Sequence, residues 1–258
     1  MRRPLGLAAA LASILILNPA IAQTGLPAGF VYLRDSDPTI AQDIRYAGSD
    51  NFVGRPLPGY DAAECVLRRE VAEALKRVQA DVAKAGLALK VYDCYRPARA
   101  VRAMAQWAND GKADGASQRF FPTLRKYSLF AAGYIAAQSA HSGGSAVDLT
   151  LTAGASGPSA PFDATAHYGP CSGPRKQRSP DTSIDMGTGF DCFDSKSHTR
   201  SPAISAEQRR SRALLVAAMA KQGFKNYFRE WWHFVYAVGP PTASQDFPIH
   251  PRALTTPR

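Results

Sequence analysis

This 258-residue chain has no CxxC motif and no internal repeat, and its one long apolar run lies at the N-terminus. After the first 22 residues, no stretch approaches the roughly 20 consecutive apolar residues of a membrane-spanning helix, which argues against a membrane-embedded protein. None of the four cysteines stands in a CxxC-type spacing, which argues against a cysteine-based metal site. No internal repeat and no break in composition marks a second domain, so we expect a single folded domain.

The one long apolar run lies at the N-terminus. Arg2 and Arg3 precede a mostly apolar stretch over 5–17, and Ala20-Ile21-Ala22 has the small residues of a cleavage site. We expect residues 1–22 to be a signal peptide cleaved after Ala22, with an uncleaved anchor as the alternative. Residues 23–258 then form the domain of a periplasmic or secreted protein without a transmembrane segment.

Export changes the interpretation of the cysteines, because disulfides persist in oxidising compartments. Cys65, Cys94, Cys171 and Cys192 permit three pairings into two bridges. We favour Cys65–Cys94 and Cys171–Cys192, since each of these bridges ties neighbouring segments of the chain.

The net charge is +10 at pH 7, and it falls by two, to +8, once Arg2 and Arg3 are removed. This charge predicts attraction to anionic surfaces such as cell-wall polymers. The basic residues are scattered in short clusters without a recognised nucleic-acid-binding motif, so we expect them to form solvated surface and predict no nucleic-acid partner.

The hydrophobic pattern predicts an α+β fold, with a small central antiparallel sheet and helices packed on it. The strongest helix signal runs over 61–86, with Asp61 as its N-cap. The expected elements are helices over 61–86, 97–109, 124–137 and 205–223, and strands over 87–93, 145–151, 224–228 and 234–238. Residues 152–184 are rich in Gly, Ser, Pro and Ala and are expected to form an inserted surface loop.

Two short stretches carry the groups of a metal site. Ser139 to Asp148, SAHSGGSAVD, supplies the His141 imidazole and the Asp148 carboxylate, and Glu230-Trp-Trp-His233 supplies a second imidazole. Three such ligands leave one position of a tetrahedral zinc ion for water, and Glu230 is then available to take a proton from that water.

The spacing of the second stretch constrains its backbone. Residues three apart on a flat strand point to opposite faces, so Glu230 and His233 serve one site only if Glu230 lies in a turn before the strand. Each stretch alone also has an ordinary interpretation. His141 is then a turn residue near glycines, and EWWH is an aromatic core strand with a surface glutamate.

Together the two stretches resemble the zinc D,D-peptidase family, and within it the D-alanyl-D-alanine dipeptidases, through SxHxxGxAxD and ExWH. The resemblance extends from about Tyr46 to Tyr236. It implies one zinc ion per chain, held by His141, Asp148 and His233, with Glu230 as the catalytic base. The implied substrate is a small D-amino-acid dipeptide such as D-Ala-D-Ala.

Further positions match the family's pocket. The segment Tyr92 to Pro97, YDCYRP, resembles the family's DGYRP, which implies that Arg96 is catalytic and stabilises the oxyanion. Tyr46, Ser139 and Asp191 match substrate-binding positions, and Asp191 is implied to pair with the substrate's ammonium group.

The chain departs from the family pattern at Cys94, where a glycine is usual, and in the inserted loop beside the pocket. Because of this loop the sequence leaves open a D,D-carboxypeptidase or endopeptidase acting on peptidoglycan stem peptides. A non-catalytic zinc-binding or wall-binding module is a third interpretation. His198 also matches a family position, but we expect a structural role, since a fourth protein ligand closes a catalytic site.

Overall fold

The computed structural model describes residues 25–113, 115–154 and 159–252. The expected signal peptide lies outside the described residues, so its cleavage stays a prediction. Within the described part of the chain, no helix is both long enough and apolar enough to cross a membrane.

The domain has an α+β fold, as predicted. Its strands are β1 Phe30–Tyr32, β2 Ala41–Gln42, β3 Val66–Arg68, β4 Leu87–Asp93, β5 Ala146–Ala153, β6 Phe224–Asn226 and β7 His233–Tyr236. Its α-helices are α1 Leu33–Ser36, α2 Arg69–Ala83, α3 Ala98–Ala108 and α4 Ala206–Lys221. The central sheet has the order β2-β4-β5-β7-β6 and is antiparallel except for the short parallel pair β2–β4. A separate antiparallel ladder joins β1 to β3.

Helix α2 packs its apolar side into the core, where Val71, Leu75 and Val78 are almost fully buried. Their spacing of three and four residues places them on one helical face. The predicted start at Asp61 was wrong, because α2 begins only at Arg69. The residues just before it form β3 instead, whose pairing with β1 satisfies backbone groups that the predicted helix would have used.

The helix predicted over 124–137 was also wrong. The structure has one 3-10 turn there, Lys126–Ser128, followed by further turns. Gly133 adopts a left-handed φ of 78°, and the N–H groups of Tyr134 and Ile135 both point to the carbonyl of Leu129. A left-handed residue in mid-segment stops a right-handed helix, and glycine adopts that conformation without steric cost.

Other local predictions were confirmed. The helix predicted over 205–223 forms as α4 and begins with a capping box: the Ser205 hydroxyl accepts from the Gln208 N–H, and the Gln208 side chain accepts from the Ser205 N–H. The structure contains disulfides Cys65–Cys94 and Cys171–Cys192, which is the pairing that the sequence favours.

We predict that Leu75→Ala lowers the free energy of unfolding by about 2–5 kcal/mol, because the side chain is fully buried against the sheet and its removal leaves a cavity. Lys76→Ala, at the next and exposed position of α2, is the matched control and should change it by less than about 0.5 kcal/mol. Urea unfolding of both variants checks this. An equal effect of the two substitutions would show that α2 does not pack as described.

Candidate metal centre and active site

The register of the central sheet brings three polar residues into one row. Asp148 on β5 lies opposite Asp93 on β4 and opposite His233 on β7. The β4–β5 ladder shifts register between Val91 and Asp93: β4 advances by two residues while β5 advances by one, from Leu149 to Asp148. Such a bulge re-aims a side chain. In a regular strand Asp93 would lie on the same face as Val91, which pairs with Leu149. The bulge instead pairs Asp93 with Asp148.

His141 is presented by a 3-10 turn, Ala140–Gly143, just before β5. The Ser139 hydroxyl caps this turn by accepting from the His141 N–H at 3.2 Å, and Gly144 ends it with a left-handed φ of 72°. The imidazole Nδ1–H donates to the carbonyl of Cys94 at 2.6 Å. That hydrogen bond places the imidazole proton on Nδ1, so the lone pair of Nε2 faces Asp148 and His233.

Glu230 and His233 reach the same place because a turn precedes β7. The His233 N–H donates to the carbonyl of Glu230 at 3.2 Å, so the chain reverses between them, as the spacing required. A carboxylate oxygen of Glu230 lies 3.9 Å from His233 Nδ1. Trp231 and Trp232 are buried, and the indole N–H of Trp231 donates to the Thr188 hydroxyl at 2.8 Å.

The acceptor atoms of His141, Asp148 and His233 converge. Asp148 Oδ1 lies 3.3 Å from His141 Nε2 and 2.9 Å from His233 Nδ1, and the two nitrogens are 3.1 Å apart. Ligands about 2.0–2.2 Å from a tetrahedral zinc ion lie roughly 3.3–3.6 Å from one another. The three distances of 2.9, 3.1 and 3.3 Å lie at or slightly below this range. The ligand types, their convergence and the tautomer of His141 fit a zinc ion that these three residues would hold.

Burial and the charges of the site together shift the pKa values of Asp148 and Glu230 in opposite directions. Burial alone would raise the pKa of Asp148, but the imidazoles of His141 and His233 hold it below its usual range. Burial raises the pKa of Glu230 well above its usual range, and the charges of Asp148 and Asp191 raise it further. Two carboxyl groups with separated pKa values suit two roles, one as a ligand and one as a proton carrier.

Arg96 is held rigidly at the cavity wall. Its Nε and one terminal nitrogen donate to Asp93 Oδ2 at 2.9 and 2.8 Å. Its guanidinium lies 4.9 Å from the ring centre of Tyr46 and 3.6 Å from the Asp148 carboxylate. Asp93 is fully buried and also accepts from the Tyr60 hydroxyl at 2.6 Å. The fixed guanidinium is a preformed donor for negative charge in the cavity.

Asp191 and Tyr46 form a second polar pair. The Tyr46 hydroxyl donates to Asp191 Oδ2 at 2.7 Å, and both residues are buried. Burial and the nearby Asp148 raise the pKa of Asp191 well above its usual range. Asp191 has a φ of 54°, and within the described ranges no other non-glycine residue has a positive φ. Aspartate tolerates this left-handed conformation better than most residues.

All eight candidate site residues line one cavity of about 250 Å³. They are Tyr46, Arg96, Ser139, His141, Asp148, Asp191, Glu230 and His233. His198 is not part of the acceptor cluster; its Nε2 lies 3.4 Å from the Tyr134 hydroxyl.

The sequence did not single out several polar residues of this site. Asp93 and Tyr60 orient Arg96, while Tyr134 and Tyr227 line the cavity. Only Asp93 had a sequence signal, an acid three residues before the candidate arginine. The three tyrosines lie in irregular segments without a motif.

Two imidazoles and a carboxylate converge at the edge of this sheet, and this ligand set is typical of metal-dependent hydrolases, because three protein ligands leave a coordination position for water. The neighbouring Glu230 carboxylate, 3.9 Å from His233 Nδ1, is a candidate proton acceptor for such chemistry. The chain belongs to the D-ala-D-ala dipeptidase family, peptidase M15, whose model matches residues 27–160 and 177–251. This family is zinc-dependent.

Curated relatives agree with the family. The chain is 32% identical over 222 residues to the D-alanyl-D-alanine dipeptidase of Enterococcus faecium, covering 86% of this chain and 98% of that protein. It is 31% identical to the D-alanyl-D-alanine dipeptidase of Enterococcus faecalis, covering 80% and 90%. It is 32% identical to that of Streptomyces coelicolor, covering 85% and 98%. Residues 161–176 fall outside the family match and inside the expected insertion.

We predict that Asp148→Ala lowers zinc affinity by more than about 100-fold. Loss of a residue that only hydrogen-bonds to a metal ligand typically costs roughly 10–100-fold, and this substitution removes a ligand itself. His198→Ala is the matched control and should keep one zinc ion per chain. Metal analysis after dialysis against a weak chelator measures both. Retention of zinc by Asp148→Ala, or its loss from His198→Ala, would contradict this assignment of ligands.

Proposed function

We propose that this protein hydrolyses the peptide bond of D-Ala-D-Ala with one zinc ion. The observation that carries this proposal is the convergence of all eight candidate residues on one cavity of about 250 Å³. Pockets for drug-sized ligands span about 300–1,000 Å³, so this cavity suits a substrate as small as a dipeptide. The similarity to three D-alanyl-D-alanine dipeptidases supports the same substrate.

His141, Asp148 and His233 hold the metal in this proposal. A bound zinc ion supplies a Lewis acid that polarises a carbonyl and lowers the pKa of water towards about 7. Glu230 accepts the proton of the attacking water and delivers it to the leaving amine. Its raised pKa supports both steps, because a carboxyl that must give a proton back needs affinity for it near neutral pH.

Arg96 stabilises the negative charge that develops on the substrate's carbonyl oxygen. Asp93 and Tyr60 hold the guanidinium in place before the substrate arrives, so little reorganisation is needed during the reaction. Asp191, with the Tyr46 hydroxyl, receives the free ammonium group of the dipeptide. Ser139 donates its hydroxyl proton to the substrate's backbone or carboxylate, since its oxygen already accepts from the His141 N–H.

We also propose that the enzyme acts outside the cytoplasm. The N-terminal pattern of charge, apolar run and small residues supports export. Two disulfides are typical of an oxidising compartment. Its positive charge supports weak association with anionic cell-wall polymers.

Release of D-alanine from D-Ala-D-Ala tests the function. We predict release by the zinc-loaded protein, loss of release with chelator, and loss of at least about a hundredfold in kcat for Glu230→Gln, because proton transfer contributes typically 10²–10⁴-fold. Glu230→Gln should still bind zinc. A folded, zinc-loaded wild type that releases no D-alanine but cleaves longer stem peptides would replace the dipeptidase by a D,D-carboxypeptidase or endopeptidase.

Arg96→Ala should lower kcat by roughly 10²–10³-fold, the usual cost of an oxyanion donor. Arg99→Ala is the matched control: this arginine lies on α3 and bonds Asp246 at the exposed surface. Steady-state kinetics on D-Ala-D-Ala, with zinc content measured in parallel, separates the two. If Arg96→Ala kept more than a tenth of the wild-type rate, Arg96 would have no part in the mechanism.

A further inference from the structure

The loop over 185–193, called here the pocket loop, supports two parts of the candidate site. Asp191 lies near its end and bonds Tyr46. Thr188, three residues earlier, accepts from the indole N–H of Trp231, which precedes β7 and directly follows Glu230. The position of this loop therefore sets where the Asp191 carboxylate stands.

The pocket loop packs against the core on one side and borders a cavity on the other. A cavity of about 900 Å³ lies against it and is lined by Gly189 and Phe190 of the loop, by Trp231, and by residues of the preceding insertion. Side chains that border a cavity lose contacts on that side, so they gain less from dispersion than close-packed ones. Asp191 also adopts a left-handed backbone, a conformation that persists only where its surroundings determine it.

On the side of the cavity, the inserted region restrains the pocket loop through a stretch over 169–178, called here the outer segment. Cys171 is bonded to Cys192, the residue after Asp191. The Cys171 carbonyl accepts from the Gly189 N–H at 2.9 Å, and the Cys171 N–H donates to the carbonyl of Arg119. The outer segment is thus joined to the pocket loop covalently and by the backbone, within one residue of the candidate ammonium site.

Arg178 adds a second clamp at the other end of the pocket loop. Its guanidinium donates to the Asp185 carboxylate at 2.9 Å and to the Gly187 carbonyl at 2.8 Å. Its Nε donates to Gly173 of the outer segment at 2.8 Å. A planar guanidinium that satisfies three acceptors fixes their relative positions more firmly than a single bond does.

We propose that the disulfide Cys171–Cys192, together with Arg178, positions Asp191 and so determines the preference for substrates with a free amino end. Cys171 lies in the 161–176 stretch that falls outside the family match, so this restraint belongs to the chain's own insertion. This inference rests on the proposed function. The disulfide and Arg178 are positioning groups, because neither lines the cavity at the acceptor cluster.

Kinetics of Cys171→Ala/Cys192→Ala on D-Ala-D-Ala and on its N-acetylated form test this inference. We expect KM for the free dipeptide to rise roughly tenfold or more, as for a weakened charge-assisted contact. The value of kcat should stay within about threefold, because the acceptor cluster, Glu230 and Arg96 are untouched. The ratio of kcat/KM for the free over the acetylated substrate should fall by a similar factor. A merely structural role would lower the amount of active enzyme without shifting KM or this ratio.

Arg178→Gln keeps the disulfide and should shift KM and the ratio in the same direction, so it carries the test if the double variant does not fold. Arg209→Gln is the matched control, since this exposed arginine also donates to a backbone carbonyl, that of Ile204. It should leave both values unchanged. An active wild type with KM unchanged in every folded variant would overturn the inference alone. A wild type that does not cleave D-Ala-D-Ala would overturn the proposed function.

Discussion

The register between β4, β5 and β7 is the constraint on which the site depends. It places Asp93, Asp148 and His233 side by side across the sheet. The buried Asp148 carboxylate therefore contacts the His233 imidazole on one side and lies 3.6 Å from the Arg96 guanidinium on the other. A slip of one residue in β5 would turn Asp148 to the opposite face of the sheet. The hydrophobic neighbours Val147 and Leu149, both fully buried, oppose such a slip.

The remaining groups are brought to this row by loops that are anchored to the sheet. His141 is oriented by the carbonyl of Cys94, and Cys94 is bonded to Cys65 just before β3. One disulfide thus steadies the segment that orients a candidate metal ligand, whereas the other, Cys171–Cys192, reaches the residue beside Asp191. In this chain Cys94 therefore makes a covalent link between the end of β4 and the residue before β3.

The sequence predicts most of the fold and the composition of the site, because the decisive signals are local. The spacing within EWWH requires a turn at Glu230, and the structure has that turn. The helix start at Asp61 was wrong because β3 forms through pairing with β1, some 35 residues away, which no local pattern reports. Asp93 was missed as a clamp for a similar reason: its role depends on a bulge that appears only when β4 pairs with β5.

The most direct test of the central claim is an anomalous-diffraction structure of the zinc-loaded protein. The account predicts one zinc ion bound by His141, Asp148 and His233, with Glu230 near it but not coordinated. It also predicts that Arg96 keeps donating to the Asp93 carboxylate when zinc is bound. A zinc ion bound by Glu230, or by His198 in place of one of the three, would contradict the account.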